Sequence, residues 1–328
     1  MPPTALAGLA RIQEPVSDRL AELDDLMRRL VVDEFELIEE VNDYLLLKRG
    51  KLFRPTLLLL SNEIGDKPSR EALLLAAVVE AVHLATLVHD DAVDHSALRR
   101  GMPTVNSVWG YQTAIIMGDY LYSRSVMEMA RLQRVDVIAV LAAAANAMTI
   151  GEMRQLATHD SLSFTEDDYY RLIEAKTASL MSAACELGAM VGDPTYRNRL
   201  KSYGHALGMA FQVADDILDY IGSEDVTGKP AGHDLREHKV TLPLIMALRE
   251  FDGEQRLAVN ALFADPEPDD DLIVRVVEAT EACGGISFAR AKAREFADRA
   301  LSAIEGLPES RAASALAGAV NYTVERRQ

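Results

Sequence analysis

Apolar residues recur along most of the chain at the three- and four-residue spacing that is typical of amphipathic α-helices. No stretch shows the alternation of a half-buried strand, and glycine and proline collect between the apolar stretches, as at 192–194. The pattern therefore predicts an all-α protein. The predicted helices are Ser17–Leu30, Asp33–Leu47, Arg54–Ile64, a long helix ending at Val93, Thr113–Leu132, Val135–Leu156, Glu166–Met190, Arg197–Tyr220 and Thr241–Glu250, followed by several short ones.

Two segments fall outside this helical pattern. Residues 1–16 precede the first predicted helix, and we expect them to be flexible. Residues 222–238 are polar and contain Gly228, Pro230 and Gly232, which predicts a mobile loop. The 328 residues allow one large domain or two ordinary ones, and we expect a single domain over residues 1–328.

Composition and charge narrow the class of protein. Hydrophobic residues make up 49% of the chain, which suits a helical protein with a large core, and the net charge of −17 argues against nucleic acid as the main partner. Cys185 and Cys283 are far apart in sequence, as expected for free thiols in a reducing compartment. The N-terminus lacks signal-peptide features, and the apolar run Val137–Ile150 is too short to span a bilayer. We therefore expect a cytoplasmic protein with no integral membrane segment.

The pattern Asp-Asp-x-x-Asp occurs twice within apolar helical sequence, as Asp90, Asp91 and Asp94 and as Asp215, Asp216 and Asp219. On a helix these spacings place the three carboxylates on one face. Two carboxylates about 4 Å apart repel by about 4 kcal/mol at an intermediate effective dielectric constant. The first group also lies at a predicted helix C-terminus, where negative charge opposes the helix dipole. A single copy is typical of a solvated helix face, but two copies in apolar surroundings predict bound cations.

Carboxylate oxygens without nearby cysteine or histidine ligands favour a hard ion, and Mg²⁺ commonly shares phosphate oxygens with the protein. Basic residues beside apolar stretches supply matching positive charge, and Lys51 and Arg54 lie three residues apart on one helix face, a spacing suited to phosphate oxygens. We therefore predict two facing carboxylate clusters that hold Mg²⁺ and a diphosphate. The basic residues concerned are Lys51, Arg54, Arg99, Arg100, Lys176, Lys229 and Lys239.

At this point the chain resembles the trans-isoprenyl diphosphate synthases, or polyprenyl synthetases, over nearly its whole length. The motifs appear in the family's order. They are Gly50–Pro55, His89–Asp94, Arg99–Gly101, Gly118–Leu121, Gly151–Leu156 with Glu152 and Gln155, Lys176–Thr177, Phe211–Asp219, Gly228–Leu235 and a Tyr-x-x-Glu-Arg ending at Tyr322–Arg326.

The resemblance implies a single helical bundle of the isoprenoid synthase type with a central active-site cavity, and a prenyltransferase that needs three Mg²⁺ ions. It implies that both Asp clusters bind these ions directly or through water, with Asp219 in an outer position. It also implies substrates, isopentenyl diphosphate and an allylic diphosphate, and a homodimer whose interface lies around Thr113–Leu156. The residues implied for the allylic diphosphate are Arg99, Lys176, Thr177, Gln212, Lys229 and Lys239, and those for isopentenyl diphosphate are Lys51, Arg54, His83 and Arg100.

Some positions depart from the family pattern. Leu52 stands where an arginine is common, and His233 and His238 replace small or polar residues. We expect both histidines to be exposed in the loop and not to bind metal. His89 is typical of the family, and we expect it to orient a carboxylate.

The residues one helical turn before Asp90 bear on product length. Ala85 and Thr86 lie there, and in the family bulky residues at this place stop the growing tail early. We predict a deep apolar tunnel closed by residues such as Met117, Tyr122, Val126 or Met127. The resemblance to the family implies a product of about thirty to fifty carbons. Close packing of small residues against a neighbouring helix is the alternative explanation.

Three other functions remain open at this level. A farnesyl or geranylgeranyl diphosphate synthase has the same chemistry and a shallower pocket. A terpene cyclase would have one Asp motif and a different second metal motif, and it would not need Lys51 and Arg54. A non-catalytic subunit of a heteromeric synthase would lack some of the aspartates that are intact here.

Overall fold

The computed structural model describes residues 3–47, 50–65, 67–158, 162–221 and 232–325. Helices dominate this part of the chain, and a π-helical turn at Glu174–Ala178 joins two of them. The helices are α1 (Pro3–Gln13), α2 (Ser17–Val31), α3 (Glu36–Leu47), α4 (Phe53–Asn62), α5 (Glu71–Val93), α6 (Val105–Trp109), α7 (Tyr111–Arg131), α8 (Val135–Ala157), α9 (Glu166–Ile173), α10 (Ser179–Val191), α11 (Arg197–Ile221), α12 (His233–Arg236), α13 (Leu242–Glu250), α14 (Gly253–Ala264), α15 (Asp270–Ala282), α16 (Gly285–Ile304) and α17 (Arg311–Val324).

Helices α4 and α10 form the centre of the bundle because they are apolar or small on all sides. Every residue of α4 except Arg54 is buried, as is every residue of α10 except Ser179. They pack against each other and against α5, while α11 packs on α10 and on α16. The two helices that carry the aspartates, α5 and α11, therefore both pack on this buried centre.

The sequence predicted most of these helices, and the all-α fold is confirmed. Beyond residue 268, however, the expectation of only short helices is wrong, because α16 contains 20 residues. The buried stripe of α16 consists largely of alanines, which give a weak hydrophobic signal: it is Ile286, Ala289, Ala293, Ala297 and Ala300.

The N-terminal segment and the polar loop add detail to the predicted domain. Residues 1–16, which we expected to be flexible, include α1, and Leu9 and Ile12 are buried in the main core. In the predicted mobile loop, 222–231 lies outside the described residues, whereas 232–238 contains the short helix α12.

A short hairpin, with two residues in each strand, follows α5, although no strand was predicted. Its strands are β1 (Leu98–Arg99) and β2 (Met102–Pro103), and they pair in antiparallel register. Arg100 and Gly101 form the turn with φ values of 54° and 74°, the left-handed values that suit a tight hairpin. Such short strands leave no alternating pattern in the sequence.

By length and composition alone, α5 and α8 could each cross a membrane. Core helices of soluble proteins pass the same test, and 56% of the α5 window is buried in the protein. In α8 only 28% of the window is buried. The run Val137–Ile150, expected to be too short to span a bilayer, belongs to this 23-residue helix, so its length does not exclude a span.

Candidate active site

The first Asp cluster lies at the C-terminal end of α5, as predicted. Asp91 is buried, and the single Nε–H group of Arg99 donates a hydrogen bond shared by its two carboxylate oxygens, with Nε–O distances of 2.6 and 2.7 Å. Asp94 caps the helix, and its Oδ2 lies 4.0 Å from Lys239 Nζ. Burial, together with the charges of Glu152 and Asp94, raises the pKa of Asp90 to about 6. Burial is the largest cause of this rise, and the charges of Lys176 and Arg99 act against it.

The second Asp cluster lies on α11 and is held by hydrogen bonds of the protein itself. Asp216 is buried, and its Oδ2 accepts a 2.6 Å hydrogen bond from the Tyr169 hydroxyl. Its Oδ1 accepts a 2.8 Å bond from Gln212 Nε2, and Gln212 Oε1 in turn accepts a 2.7 Å bond from Thr177 Oγ1. Burial and the charge of Asp234 raise the pKa of Asp216 well above its usual range.

The other two aspartates of this cluster have different surroundings. Asp215 is exposed, whereas Asp219 is half-buried and accepts a 3.0 Å hydrogen bond from the Asp234 amide. Burial and the charge of Asp219 raise the pKa of Asp234 to about 7. Asp219 thus connects the end of α11 to the segment that follows the loop.

The π-helical turn sends two consecutive side chains to different helices. Lys176 Nζ lies 2.5 Å from Glu152 Oε2 and donates a 2.7 Å hydrogen bond to Gln155 Oε1, both on α8. Thr177 instead donates to Gln212 on α11. The extra residue of a π-helical turn shifts the side-chain directions, and such turns are frequent at functional sites.

Lys239 lies between the two Asp clusters. Its Nζ is 2.6 Å from Glu237 Oε2 and 4.0 Å from Asp94 Oδ2. Burial acts to lower the pKa of Lys239, but the charges of Glu237, Asp234 and Asp94 outweigh it and raise the pKa. Lys239 is therefore a permanent cation at the junction of the clusters.

A cavity of about 200 Å³ lies between α8, α9, α11 and residues 234–241. Its lining combines polar and charged side chains with apolar ones. The polar residues include Lys176, Thr177, Gln212, Asp216, Asp234 and Lys239, and the apolar residues include Phe164, Leu172, Ile173 and Val240. This arrangement suits a ligand with an anionic head and an apolar tail.

A second basic group lies beside α5 and contains three of the predicted residues. Arg54 and Arg100 are near enough to His83 for both charges, after burial itself, to lower its pKa well below the usual value. His83 is therefore neutral at pH 7 and can accept or donate one hydrogen bond. Arg54 Nε is buried without a hydrogen-bond partner. Lys51 lies in the preceding loop with an exposed side chain.

Glu80 is an acidic residue that lies beside Arg54 and Arg100 of this basic group, and the sequence analysis did not identify it. A Cβ atom placed on Gly50 would lie 3.4 Å from Glu80 Oε1 and 3.2 Å from Arg100 Nη1, so both side chains contact the loop backbone. Burial raises the pKa of Glu80, while Arg54 and Arg100 act to lower it. Glu80 precedes His83 by one helical turn, and that spacing was its only signal in the sequence.

Among the described residues, no three His, Cys, Asp or Glu side chains converge on one metal position. The donor types nevertheless suit Mg²⁺, because the side chains of the two Asp clusters are carboxylates. Glu152 Oε1 is buried without a hydrogen-bond partner and lies near enough to Asp90 to raise its pKa. Unbalanced carboxylates of this kind are suited to ions that take their remaining ligands from water and diphosphate.

Some predicted residues lie elsewhere in the structure or outside the described residues. Lys229 and Arg326 lie outside the described residues. His89 contacts α7: its Nε2 is 3.0 Å from Ile115 O and 3.5 Å from Asp119 Oδ1. His233 and His238 are half-buried and contact Glu237 and the Asp265 carbonyl, respectively.

Sequence reasoning also missed Glu152, Tyr169, Asp234 and Glu237 as members of the site. Glu152 and Asp234 lie inside motifs that were recognised, so the motifs themselves were a usable signal. Tyr169 had no such signal, because its partner Asp216 is 47 positions away and is identified only by tertiary contact. The partners of Glu237 are near in sequence, since it contacts His233 four residues before it and Lys239 two residues after it.

The region below the first cluster is closely packed. Ala85 is 3% exposed, and Thr86 is half-buried with its hydroxyl bonded to the His83 carbonyl. Two of the predicted tunnel-closing residues are on the outer surface instead, since Tyr122 is 37% and Met127 50% exposed. They lie on the outward side of α7. Knowing that a residue belongs to a helix does not tell which side of the helix it occupies.

Comparison with known proteins places this geometry in a family. The Polyprenyl synthetase family model matches residues 35–280. The all-trans-nonaprenyl-diphosphate synthase (geranyl-diphosphate specific) of Rhodobacter capsulatus is 35% identical over 319 residues, which cover 97% of this chain and 98% of that protein. The octaprenyl diphosphate synthase of Escherichia coli is 33% identical over 321 residues, with 97% and 99% covered.

The fold comparison agrees. The crystal structure of polyprenyl synthase from Caulobacter crescentus, complexed with calcium and isoprenyl diphosphate, has a TM-score of 0.92 and 31% sequence identity, covering 98% of each chain. The family match extends over most of the chain, and the relatives are similar over nearly their full lengths. This chain therefore belongs to the polyprenyl synthetase family.

Proposed function

We propose that this protein is a trans-prenyltransferase that joins isopentenyl diphosphate head-to-tail to an allylic diphosphate. The C1–O bond of the allylic diphosphate breaks, and diphosphate leaves with the electron pair. The double bond of isopentenyl diphosphate forms the new carbon–carbon bond, and the released diphosphate accepts the proton that is lost. The observation that carries the proposal is that Asp216 of the second Asp cluster, Lys176 and Lys239 line one cavity, while Asp94 of the first cluster lies 4.0 Å from the same Lys239. A separate basic group lies beside α5.

The first group of residues would bind the allylic diphosphate. When bound, Mg²⁺ would supply positive charge that stabilises the leaving diphosphate, and the six aspartates of the two clusters would hold it directly or through water. Lys176 and Lys239, which both line the cavity, would add positive charge, together with Arg99 and Lys229. Thr177 and Gln212 form a hydrogen-bonded pair at the cavity wall, and the dipoles fixed by this bond would face a substrate bound there.

The second basic group would bind isopentenyl diphosphate. Arg54 and Arg100 would form charge-assisted hydrogen bonds to its diphosphate, with Lys51 closing the site from the loop. The neutral His83 would contribute a hydrogen bond without adding charge. Two separate anion sites match a reaction in which one diphosphate leaves and the other is retained.

We propose a medium- or long-chain product of about thirty to fifty carbons. Support comes from the relatives, which include a nonaprenyl and an octaprenyl diphosphate synthase, and from the small residue Ala85 below the first cluster. The test is to incubate the purified protein with Mg²⁺, labelled isopentenyl diphosphate and each allylic primer in turn, and to resolve the products after phosphatase treatment.

The three outcomes of that assay are distinct. Products longer than twenty carbons would support the proposal. Products that stop at fifteen or twenty would identify a farnesyl or geranylgeranyl diphosphate synthase. No condensation with any primer would refute the catalytic proposal and favour a subunit that needs a second chain.

We also propose a cytoplasmic homodimer formed through α7 and α8. Large apolar side chains are exposed on the outer faces of these helices, and the packing of α8 within the monomer is sparse. Light scattering of the purified protein should give twice the 36.0 kDa mass of one chain. A monomeric mass at micromolar concentration would contradict the proposal. The exposed residues are Ile116, Tyr122, Met127, Val135, Ile150, Met153 and Leu156.

A further inference from the structure

Tyr169 is the least exposed polar side chain near the second Asp cluster. It is 2% exposed, lies on α9 and donates its hydroxyl to Asp216 Oδ2 at 2.6 Å. Burial first, and then the charge and hydrogen bond of Asp216, raise the pKa of this tyrosine well above its usual value. The hydroxyl is therefore a permanent donor to the carboxylate at any physiological pH.

This hydrogen bond ends a chain of contacts that joins three elements. Thr177 on the π-helical turn donates to Gln212, Gln212 donates to Asp216, and Tyr169 donates to the other oxygen of Asp216. All three bonds measure 2.6 to 2.8 Å. Since each carboxylate oxygen of Asp216 has its own donor, the carboxylate cannot rotate without breaking a bond to a buried partner, and broken bonds of this kind are costly.

We propose that Tyr169 is a positioning residue that sets the orientation of the second Asp cluster for a metal-bound diphosphate. The inference rests on the proposed function of this cavity and adds a residue to it. Tyr169 acts through Asp216 and, by way of Gln212, on the π-helical turn that also carries Lys176. It lines the cavity, but its hydroxyl is already committed to Asp216.

The test compares Tyr169→Phe with Tyr170→Phe. The neighbouring Tyr170 donates its hydroxyl to Glu166 Oε1 at 2.9 Å, one turn earlier on the same helix and away from the aspartates. Both changes remove one hydroxyl and keep the ring. The probe is Mn²⁺ titrated in the presence of saturating inorganic diphosphate, with free Mn²⁺ followed by electron paramagnetic resonance, so that no turnover is needed.

We expect Tyr169→Phe to weaken Mn²⁺ binding about tenfold, because a hydrogen bond to a charged group is lost. Tyr170→Phe should bind Mn²⁺ within about twofold of wild type, and the KM for isopentenyl diphosphate should change in neither variant, since the second basic group is separate. Combined with Asp216→Asn, Tyr169→Phe should add less than about a further twofold, because the tyrosine acts through that carboxylate.

Equal Mn²⁺ affinity in the two tyrosine variants would overturn the proposal, even if Tyr169→Phe melts at a lower temperature. Should Tyr169→Phe fail to fold, position 169 can be filled with 4-aminophenylalanine, which retains a donor, or with 4-fluorophenylalanine, which does not. Equal Mn²⁺ binding by those two proteins would also overturn it. Wild-type protein that binds Mn²⁺ and diphosphate without condensing the substrates would refute the proposed function alone, and the tyrosine comparison would still be decisive.

Discussion

Arg99 and Arg100 are adjacent in sequence, yet the hairpin turn directs them to different partners, and this provides a sharp test of the two-site arrangement. Arg99 pairs with Asp91 in the first Asp cluster, whereas Arg100 lies with Arg54 and Glu80 beside the loop. Replacing each arginine in turn by glutamine removes one charge while the side chain remains able to donate hydrogen bonds. The two variants should therefore fail in different ways.

The size of the Arg99→Gln effect follows from burial. Asp91 is 6% exposed and loses its hydrogen-bonded ion pair with Arg99, and breaking a fully buried ion pair costs about 3–5 kcal/mol. The side chain of Arg99 is 38% exposed, so water can partly replace it, and we expect about 2 kcal/mol. In a chain of this size, that loss lowers the melting temperature by about 4 °C.

Arg100→Gln should leave the melting temperature nearly unchanged, because the side chain is exposed. It should raise the KM for isopentenyl diphosphate by about tenfold or more, through the loss of a charge-assisted hydrogen bond to diphosphate. Arg99→Gln should instead raise the Mg²⁺ concentration that gives half-maximal rate and the KM for the allylic substrate.

The assay is steady-state condensation of labelled isopentenyl diphosphate, with each substrate and Mg²⁺ varied in turn, together with calorimetric melting of the same protein samples. The reasoning is refuted if both variants raise the KM for isopentenyl diphosphate equally, or if only Arg100→Gln melts early. Either result would mean that the two arginines serve one shared site.

Three further predictions concern product length, pH and packing. Ala85→Phe should shorten the product to twenty carbons or fewer, as resolved by chromatography, and products of wild-type length would disprove a tunnel beneath Ala85. Burial raises the pKa of Asp90 to about 6, above its value in the unfolded chain. Asp90 therefore contributes its full stabilisation to the metal-free fold below about pH 4, and this contribution is lost as pH rises through 6. Asp90→Asn should therefore raise the melting temperature of metal-free protein at pH 7.5 but not at pH 4. An equal effect at the two pH values would contradict the predicted direction of the pH dependence. Gly118→Ala places a Cβ 2.1 Å from His89 Nε2, so the ring must move. We expect a loss of about 1–3 kcal/mol in denaturant unfolding, whereas an unchanged midpoint would show that the contact relaxes freely.

The helices and the residue types of the site could be predicted because both are local properties of the chain. Long apolar stretches with helical spacing predicted α2, α5, α7, α8 and α11 within a few residues. The two Asp clusters were visible because three carboxylates on one helix face need a compensating cation wherever the helix lies. The resemblance to a known family then implied which basic residues accompany them, and for Lys229 that implication stays a prediction.

Other features could not be predicted, because the energy that decides them comes from partners distant in sequence. Glu152 pairs with Lys176 across 24 positions, and Tyr169 reaches Asp216 across 47. A tyrosine in an amphipathic helix gives no indication of which carboxylate its hydroxyl will meet. The hairpin at 98–103 and the π-helical turn are likewise too short to leave a periodic pattern.

The sequence by itself determined that this chain is helical, that it concentrates negative charge at two helical segments and that it carries the cations to match. Only the tertiary structure decided how those charges are shared: Arg99 to Asp91, Lys176 to Glu152, and Lys239 between Asp94 and Glu237. The physical reason is the sequence distance over which each effect acts. Helical periodicity acts over a few residues, whereas the pairing and burial of charge depend on which helices the core brings together.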